Sequence, residues 1–238
     1  MDLKLMAELG FILVSLVCII ILYAGIIRAS GKMDKAKRKK VKSRFLIGIF
    51  LWISFLAIVS ISGFIGDFNK IPPPFIIVII PPLIVLVILL RSSIMKELLA
   101  NISQKSIVYL QTFRIAVEIL LWILFLDEII PIQMTFEGRN FDILAGISAP
   151  LMVIFCISGN KMKRSALMIW NILGLLLLGN IVAIAIMSTP SVLRVFMNDP
   201  ANTIVTQWPV VLLPGILVPL AYYLHFFSIS KLKAANTK

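Results

Sequence analysis

Three polar side chains, Gln111, Arg114 and Glu118, interrupt an otherwise apolar segment near the middle of the chain. At 3.6 residues per turn they share one face of a helix, and Trp122 follows one turn later. A charge at the centre of a bilayer costs about 2.5 to 3.5 kcal/mol, so this face has to contact protein or water. Such a group indicates a functional site. Arg114 could hold an anionic or polar ligand, and Glu118 could act as its counter-ion or carry a proton.

The same spacing allows a purely structural role for this face. Arg114 and Glu118 are four residues apart, so they could neutralise each other within one helix. In that case the pair would orient the helix in its bundle and would bind nothing. Both interpretations stay open at the level of the sequence.

A second polar group follows in the turn 135–142, which reads Thr-Phe-Glu-Gly-Arg-Asn-Phe-Asp. Gly138 permits a backbone with positive φ, and the arginine can pair with either acid of the turn. A tied-down hairpin and a ligand-contacting loop both fit this pattern. The candidate ligand contacts are Glu137, Arg139, Asn140 and Asp142. We expect this turn outside the membrane, as a site separate from the buried face at another depth.

Three more polar residues in apolar segments are candidates for the same intramembrane site: Asn171, Tyr222 and His225. His225 is the single histidine of the chain, and no Cys, Asp or Glu stands near it at the spacing of metal ligands. Cys18 and Cys156 lie in apolar runs, which is typical of buried free thiols. The sequence therefore predicts neither a metal site nor a cofactor.

Composition shows what has to position these residues. Hydrophobic residues make up 60% of the 238, charged residues only 14%, and the mean hydropathy is +1.04. Soluble domains carry about 25% charged residues, so the pattern is typical of an integral membrane protein. A membrane-spanning helix needs about 20 apolar residues. We predict a single all-α domain of seven transmembrane helices, at 9–28, 45–66, 74–90, 107–130, 143–159, 167–188 and 209–229.

The basic residues predict the orientation. Between the predicted segments, 18 of the 23 lysines and arginines fall on one side, half of them from Arg28 to Arg44. The positive side is normally cytoplasmic, which places the N-terminus outside and the C-terminus in the cytoplasm. We expect 29–44 to be a basic cytoplasmic loop against anionic inner-leaflet lipids. That position accounts for the net charge of +12 without a nucleic-acid partner.

The motif Gln111-Thr-Phe-Arg114-Ile-Ala-Val-Glu118, followed by Met134-Thr-Phe-Glu-Gly-Arg-Asn-Phe-Asp142-Ile-Leu-Ala-Gly146, resembles a signature of bacterial multi-spanning membrane proteins with no assigned activity. The likeness extends through the C-terminal half, at Trp170-Asn171, Pro200-Ala-Asn202, Pro214 and His225. The resemblance implies a bacterial membrane setting and no particular reaction.

Taken together, these patterns favour an inner-membrane protein that binds or moves a small polar or anionic molecule through an intramembrane polar cavity. One alternative is an intramembrane enzyme acting on a lipid or isoprenoid, with Glu118 or His225 as acid or base. Another is an accessory subunit that docks a protein partner on its basic cytoplasmic loop.

Overall fold

The computed structural model describes residues 2–157 and 162–234, and within these ranges the chain forms helices and no strands. The α-helices are α1 (Leu3–Ala29), α2 (Lys35–Ile61), α3 (Ile76–Arg91), α4 (Ser93–Asn101), α5 (Gln104–Leu110), α6 (Phe113–Leu126), α7 (Ile143–Cys156), α8 (Arg164–Met187) and α9 (Val218–Ala234). A π-helical stretch, Leu213–Leu217, leads directly into α9.

Among the described residues, five helical stretches are long and apolar enough to cross a membrane: Leu3–Lys32, Lys35–Ile61, Gln104–Leu126, Arg164–Met187 and Leu213–Ala234. A sixth candidate is α3 together with α4, which bend by 79° at Ser92. The apolar helix α7 is shorter, with 14 residues.

Helices lie in all seven predicted segments, with three differences in detail. The segment 107–130 is two helices, because the α-helical pattern is interrupted at Gln111–Thr112. Pro81 and Pro82 lie inside α3 without ending it, and the sharp bend follows ten residues later. The end of the segment 143–159 lies outside the described residues.

The basic stretch 29–44 is mostly helical, where the sequence suggested a loop. A 3-10 turn, Ser30–Lys32, joins α1 to Met33 and Asp34, and α2 begins at Lys35. The Asp34 carboxylate caps α2 by accepting from the backbone N–H of Lys37 at 2.9 Å, and this bond lowers the pKa of Asp34. Lysine and arginine are good helix formers, so the capped run continues as the exposed first turns of α2.

The end of α6 is a Schellman-type cap built without glycine. The N–H of Ile129 donates to Leu124 O and that of Glu128 to Phe125 O, both at 2.9 Å. Glu128 adopts a positive φ of 54°, the left-handed conformation that this cap requires. The chain therefore turns back sharply after α6 towards the bundle.

The helices pack around α6 and α9. α1 covers α6 on one side and α7 covers it on another, while α9 contacts α3, α5 and α8. The segment from Ile130 to Asp142 is only partly exposed: Ile132, Glu137, Arg139 and Phe141 are exposed, whereas its buried residues include Ile130, Gln133, Met134, Thr135 and Asn140. We refer to residues 130–142 as the inner cap, because they close the space between α6, α7 and α8.

Candidate functional site

Arg114 forms its ion pair with Asp142. Its Nε donates to Asp142 Oδ2 at 2.7 Å, and its Nη2 donates to Asp142 Oδ1. Both side chains are buried, and the pair joins α6 to the start of α7. The local pair with Glu118 that the spacing allowed is therefore not the one formed, and the positive charge of Arg114 is already matched.

Glu118 interacts with the inner cap through Asn140. The Asn140 amide donates to Glu118 Oε2 at 2.5 Å and to Met134 O at 3.0 Å, and its own oxygen accepts from the N–H of Asp142 at 3.0 Å. Glu118 Oε1 accepts no hydrogen bond within the described residues. The two polar groups expected at separate depths thus form one connected site.

His225 lies on the other side of the arginine. Its Nε2 is 2.9 Å from Arg114 Nη1, and its Nδ1 is 3.0 Å from Asn171 Oδ1. A guanidinium has only donors, so Nε2 must accept and Nδ1 must carry the hydrogen that is donated to Asn171. These bonds hold a neutral imidazole with both nitrogens occupied, and leave it unsuited to act as the acid or base of the enzymatic alternative.

Two residues that sequence reasoning missed, Gln104 and Ser228, extend this network. Ser228 Oγ accepts from Asn171 Nδ2 at 2.8 Å and from Gln104 Nε2 at 2.6 Å. Ser228 lies three residues after His225 on the same face of α9, a spacing that could have pointed to it. We call the whole buried chain the polar row: Gln104, Ser228, Asn171, His225, Arg114, Asp142, Asn140 and Glu118.

The remaining predicted residues lie around the polar row. Gln111 is buried and donates to Ala221 O at 3.2 Å, while its Oε1 has no partner. Tyr222 is partly buried. In the inner cap, the exposed Glu137 accepts from Trp122 Nε1 at 2.8 Å, and the guanidinium of Arg139 lies 5.4 Å from the ring centre of Phe196. Arg139 therefore pairs with neither acid of its turn.

Close helix packing brings the polar row together. A Cβ built on Gly174 of α8 would overlap the ring of His225, and one on Gly146 of α7 would lie 2.9 Å from Ile115 and 3.3 Å from Arg114 Cβ. Glycine at these two positions lets α8 approach α9 and α7 approach α6. Gly138 is also needed for close packing, because a Cβ there would overlap Ile132 O. Its φ is not positive, so glycine is required here for space and not for backbone conformation.

A cavity of about 130 Å³ opens beside Glu118. It lies between α3, α6, α8 and the π-helical stretch, and most of its lining is apolar. The polar exceptions are Glu118, Thr189, Asn202, Thr206 and Tyr222. Engineered apolar cavities of about 150 Å³ hold benzene, so this space suits one small ring.

The cavity adjoins a second, open pocket of about 330 Å³. That pocket is lined by Ser60, Gly63, Gly66, Phe68, Thr203, Thr206 and Gln207. Thr206 lines both spaces and is held in place by two bonds: its Oγ1 donates to Thr203 O at 2.8 Å and its carbonyl accepts from Ser60 Oγ at 2.7 Å. Thr206 therefore lies where the cavity and the open pocket meet.

The described residues contain no group of three or more His, Cys, Asp or Glu able to hold a metal ion. Two carboxylates reach the buried centre, and one of them, Asp142, is bound by Arg114. The other carboxylate, Glu118, has one oxygen, Oε1, that accepts no hydrogen bond from the described residues.

A family model described as a domain of unknown function, DUF8737, matches residues 72–233. The chain belongs to this family. The DUF8737 match contains the entire polar row and every residue lining the cavity except Ile65, whereas α1 and the basic start of α2 precede it. No curated protein and no solved structure shows significant similarity to the chain.

Proposed function

We propose that this member of the DUF8737 family is a multi-pass protein of the bacterial inner membrane that binds a small, mainly apolar molecule in the cavity beside Glu118. The observation that carries the proposal is the position of the Glu118 carboxylate, 1% exposed and lining a mostly apolar cavity of benzene size. A buried carboxylate without an ion pair costs several kcal/mol, so a site that keeps one there is explained by a guest or a proton that meets it.

Seven helices cross the membrane in this proposal, with the N-terminus outside. The 14 residues of α7 extend about 21 Å at 1.5 Å per residue, less than the roughly 30 Å hydrocarbon core. The inner cap, residues 130–142, fills the rest of the hydrocarbon core on the side of the membrane away from the cytoplasm. Irregular backbone is tolerated at such depth when protein surrounds it, and the burial of Ile130, Gln133, Met134, Thr135 and Asn140 supports this for part of the segment.

The basic first turns of α2 face the cytoplasm and lie against anionic lipids. Seven basic residues from Lys35 to Arg44 stand at the positive end of the helix dipole, where they repel the N-terminal partial charge. An anionic lipid surface offsets that repulsion, at about 1 kcal/mol for each Lys or Arg near it. This interaction sets the orientation of the first two helices.

The position of Thr206 between the cavity and the open pocket offers a route for movement of the guest. In the proposed orientation the open pocket faces outward, so displacement of the short turn Ile204–Thr206 would widen the connection between the cavity and the outside. The π-helical stretch beside the cavity contains Pro214, and Pro219 follows in α9. Such stretches lack the regular α-helical bonding and frequently occur at functional sites.

Filling the cavity tests the proposal. Ala185→Phe puts a ring into the cavity from α8, and Ala183→Phe puts the same ring on the exposed face of the same helix as a matched control. The probe is para-fluorobenzyl alcohol, followed by fluorine NMR with the full chain in uncharged micelles. We expect a bound signal in the parent and in Ala183→Phe that Ala185→Phe abolishes. Equal spectra for all three proteins would overturn the proposal.

A further inference from the structure

Two acceptor atoms on residues that line the cavity have no hydrogen-bond partner among the described residues, and neither does the hydroxyl of Tyr222. Glu118 Oε1 accepts no hydrogen bond within the described residues. Asn202 is 0% exposed, its Nδ2 donates to Ala185 O at 3.0 Å, and its Oδ1 is buried without a partner. Both residues line the cavity. A carboxylate oxygen and an amide oxygen suit a guest that donates hydrogen bonds, and a tyrosine hydroxyl can accept from the same guest.

The charges of the polar row indicate the sign of the charge that the guest carries. Arg114 and Asp142 cancel each other, and the bonds of His225 hold it neutral. Glu118 is the one acidic side chain of the row without an ion pair among the described residues. Two aromatic residues, Phe75 and Tyr222, line the same cavity and can face a cation with their rings.

From this arrangement we infer that the guest is a small organic cation: a primary or secondary ammonium group on an apolar body about the size of one ring. The ammonium N–H groups would donate to Glu118 Oε1 and Asn202 Oδ1, and the ring would occupy the apolar part of the cavity. An anion is disfavoured because Asp142 already occupies the guanidinium of Arg114. This inference rests on the proposed function and adds the chemical class of its ligand.

Three probes of one shape and different charge test the inference. They are para-fluorobenzylamine, which is cationic at neutral pH, para-fluorobenzyl alcohol, and para-fluorobenzoate, each titrated into the full chain in uncharged micelles by fluorine NMR. We expect the amine to bind at least tenfold more tightly than the alcohol, and the benzoate not to bind. Glu118→Gln keeps an acceptor for Asn140 while it removes the charge, so it should weaken the amine at least tenfold and lower the preference for the amine over the alcohol.

A second variant supports the test if Glu118→Gln folds poorly. Asn202→Leu removes the other acceptor with little change in shape, and we expect it to weaken the amine severalfold. Equal affinities of amine and alcohol, or tight binding of the benzoate, would overturn the inference that the guest is a cation. The cavity would still be a binding site. If none of the three probes gives a signal that Ala185→Phe removes, the binding function itself fails.

Discussion

Arg114 and Asp142, 28 residues apart in the chain, form a two-bond ion pair that is buried between α6 and α7. Asp142→Ala leaves a buried guanidinium without its counter-ion, and breaking such a pair typically costs about 3 to 5 kcal/mol. We therefore expect a large fall in the free energy of unfolding, measured by SDS titration in mixed micelles. Glu137→Ala removes an exposed carboxylate from the same turn and should cost less than about 1 kcal/mol.

Replacing both partners separates the charge from the packing. The double substitution Arg114→Met with Asp142→Leu puts apolar groups in place of both charges, a change that is often neutral or stabilising for buried pairs. We expect the double variant to be at least about 2 kcal/mol more stable than Asp142→Ala in the same titration. A double variant as unstable as the single one would mean that the pair does not act as a unit.

Gly174 and Gly179 of α8 offer a matched test of the packing against His225. A Cβ at Gly174 overlaps the imidazole, whereas a Cβ at Gly179 meets nothing within 4 Å. Gly174→Ala should destabilise the protein by about 1 to 3 kcal/mol through overpacking. Gly179→Ala should be neutral or stabilising by up to about 1 kcal/mol, because alanine favours the helix. The ranking of the two unfolding free energies decides the matter, and the reverse order would contradict this packing.

Glu128 carries backbone strain that glycine would relieve. Its φ of 54° is the left-handed conformation that the cap of α6 demands. Glu128→Gly should therefore raise the free energy of unfolding by about 1 kcal/mol. The neighbouring Asp127 has an ordinary φ of −91°, so Asp127→Gly should lower it by about 0.5 to 1 kcal/mol. If both substitutions changed the free energy of unfolding in the same direction, this would argue against the left-handed cap at Glu128.

The proposed orientation can be tested with single cysteines in a background that carries Cys18→Ala and Cys156→Ala. Met197→Cys lies in the exposed segment after α8, and Ser43→Cys in the basic first turns of α2. In intact cells a membrane-impermeant maleimide should label residue 197 at once and residue 43 only after permeabilisation. Immediate labelling of residue 43, with residue 197 labelled only after permeabilisation, would show the opposite orientation.

Much of the helical framework could be predicted because hydropathy depends on the local sequence. The all-helical structure and the burial of Gln111, Arg114 and Glu118 follow from apolar runs and the cost of exposing charge. The partner of Arg114 could not be predicted in this way, because Glu118 at i+4 and Asp142 beyond the next turn satisfy the same charge. Close packing at Gly146 and the burial of the inner cap favour Asp142, and both are tertiary effects.

The basic start of α2 illustrates a second limit. A run of like charges predicts a solvated segment but not its backbone, and the Asp34 cap together with good helix formers made it helical. The sequence predicts an intramembrane polar cavity, but most residues that line it could not be predicted, since they come from several separate parts of the chain and few of them are polar.

The polar row is a continuous chain of hydrogen bonds, as a proton-transfer pathway would need. The direction of these bonds nevertheless prevents proton transfer along it. A relay needs every member to accept a proton and pass it on, and the guanidinium at its centre has donors only. Ser228, beside Gln104 at the end of the row, receives two amide donors. A protein locked in one conformation would therefore pass no protons along the row. Coupling of the guest to an ion gradient through Glu118 would need exposure of this residue to one side and then the other.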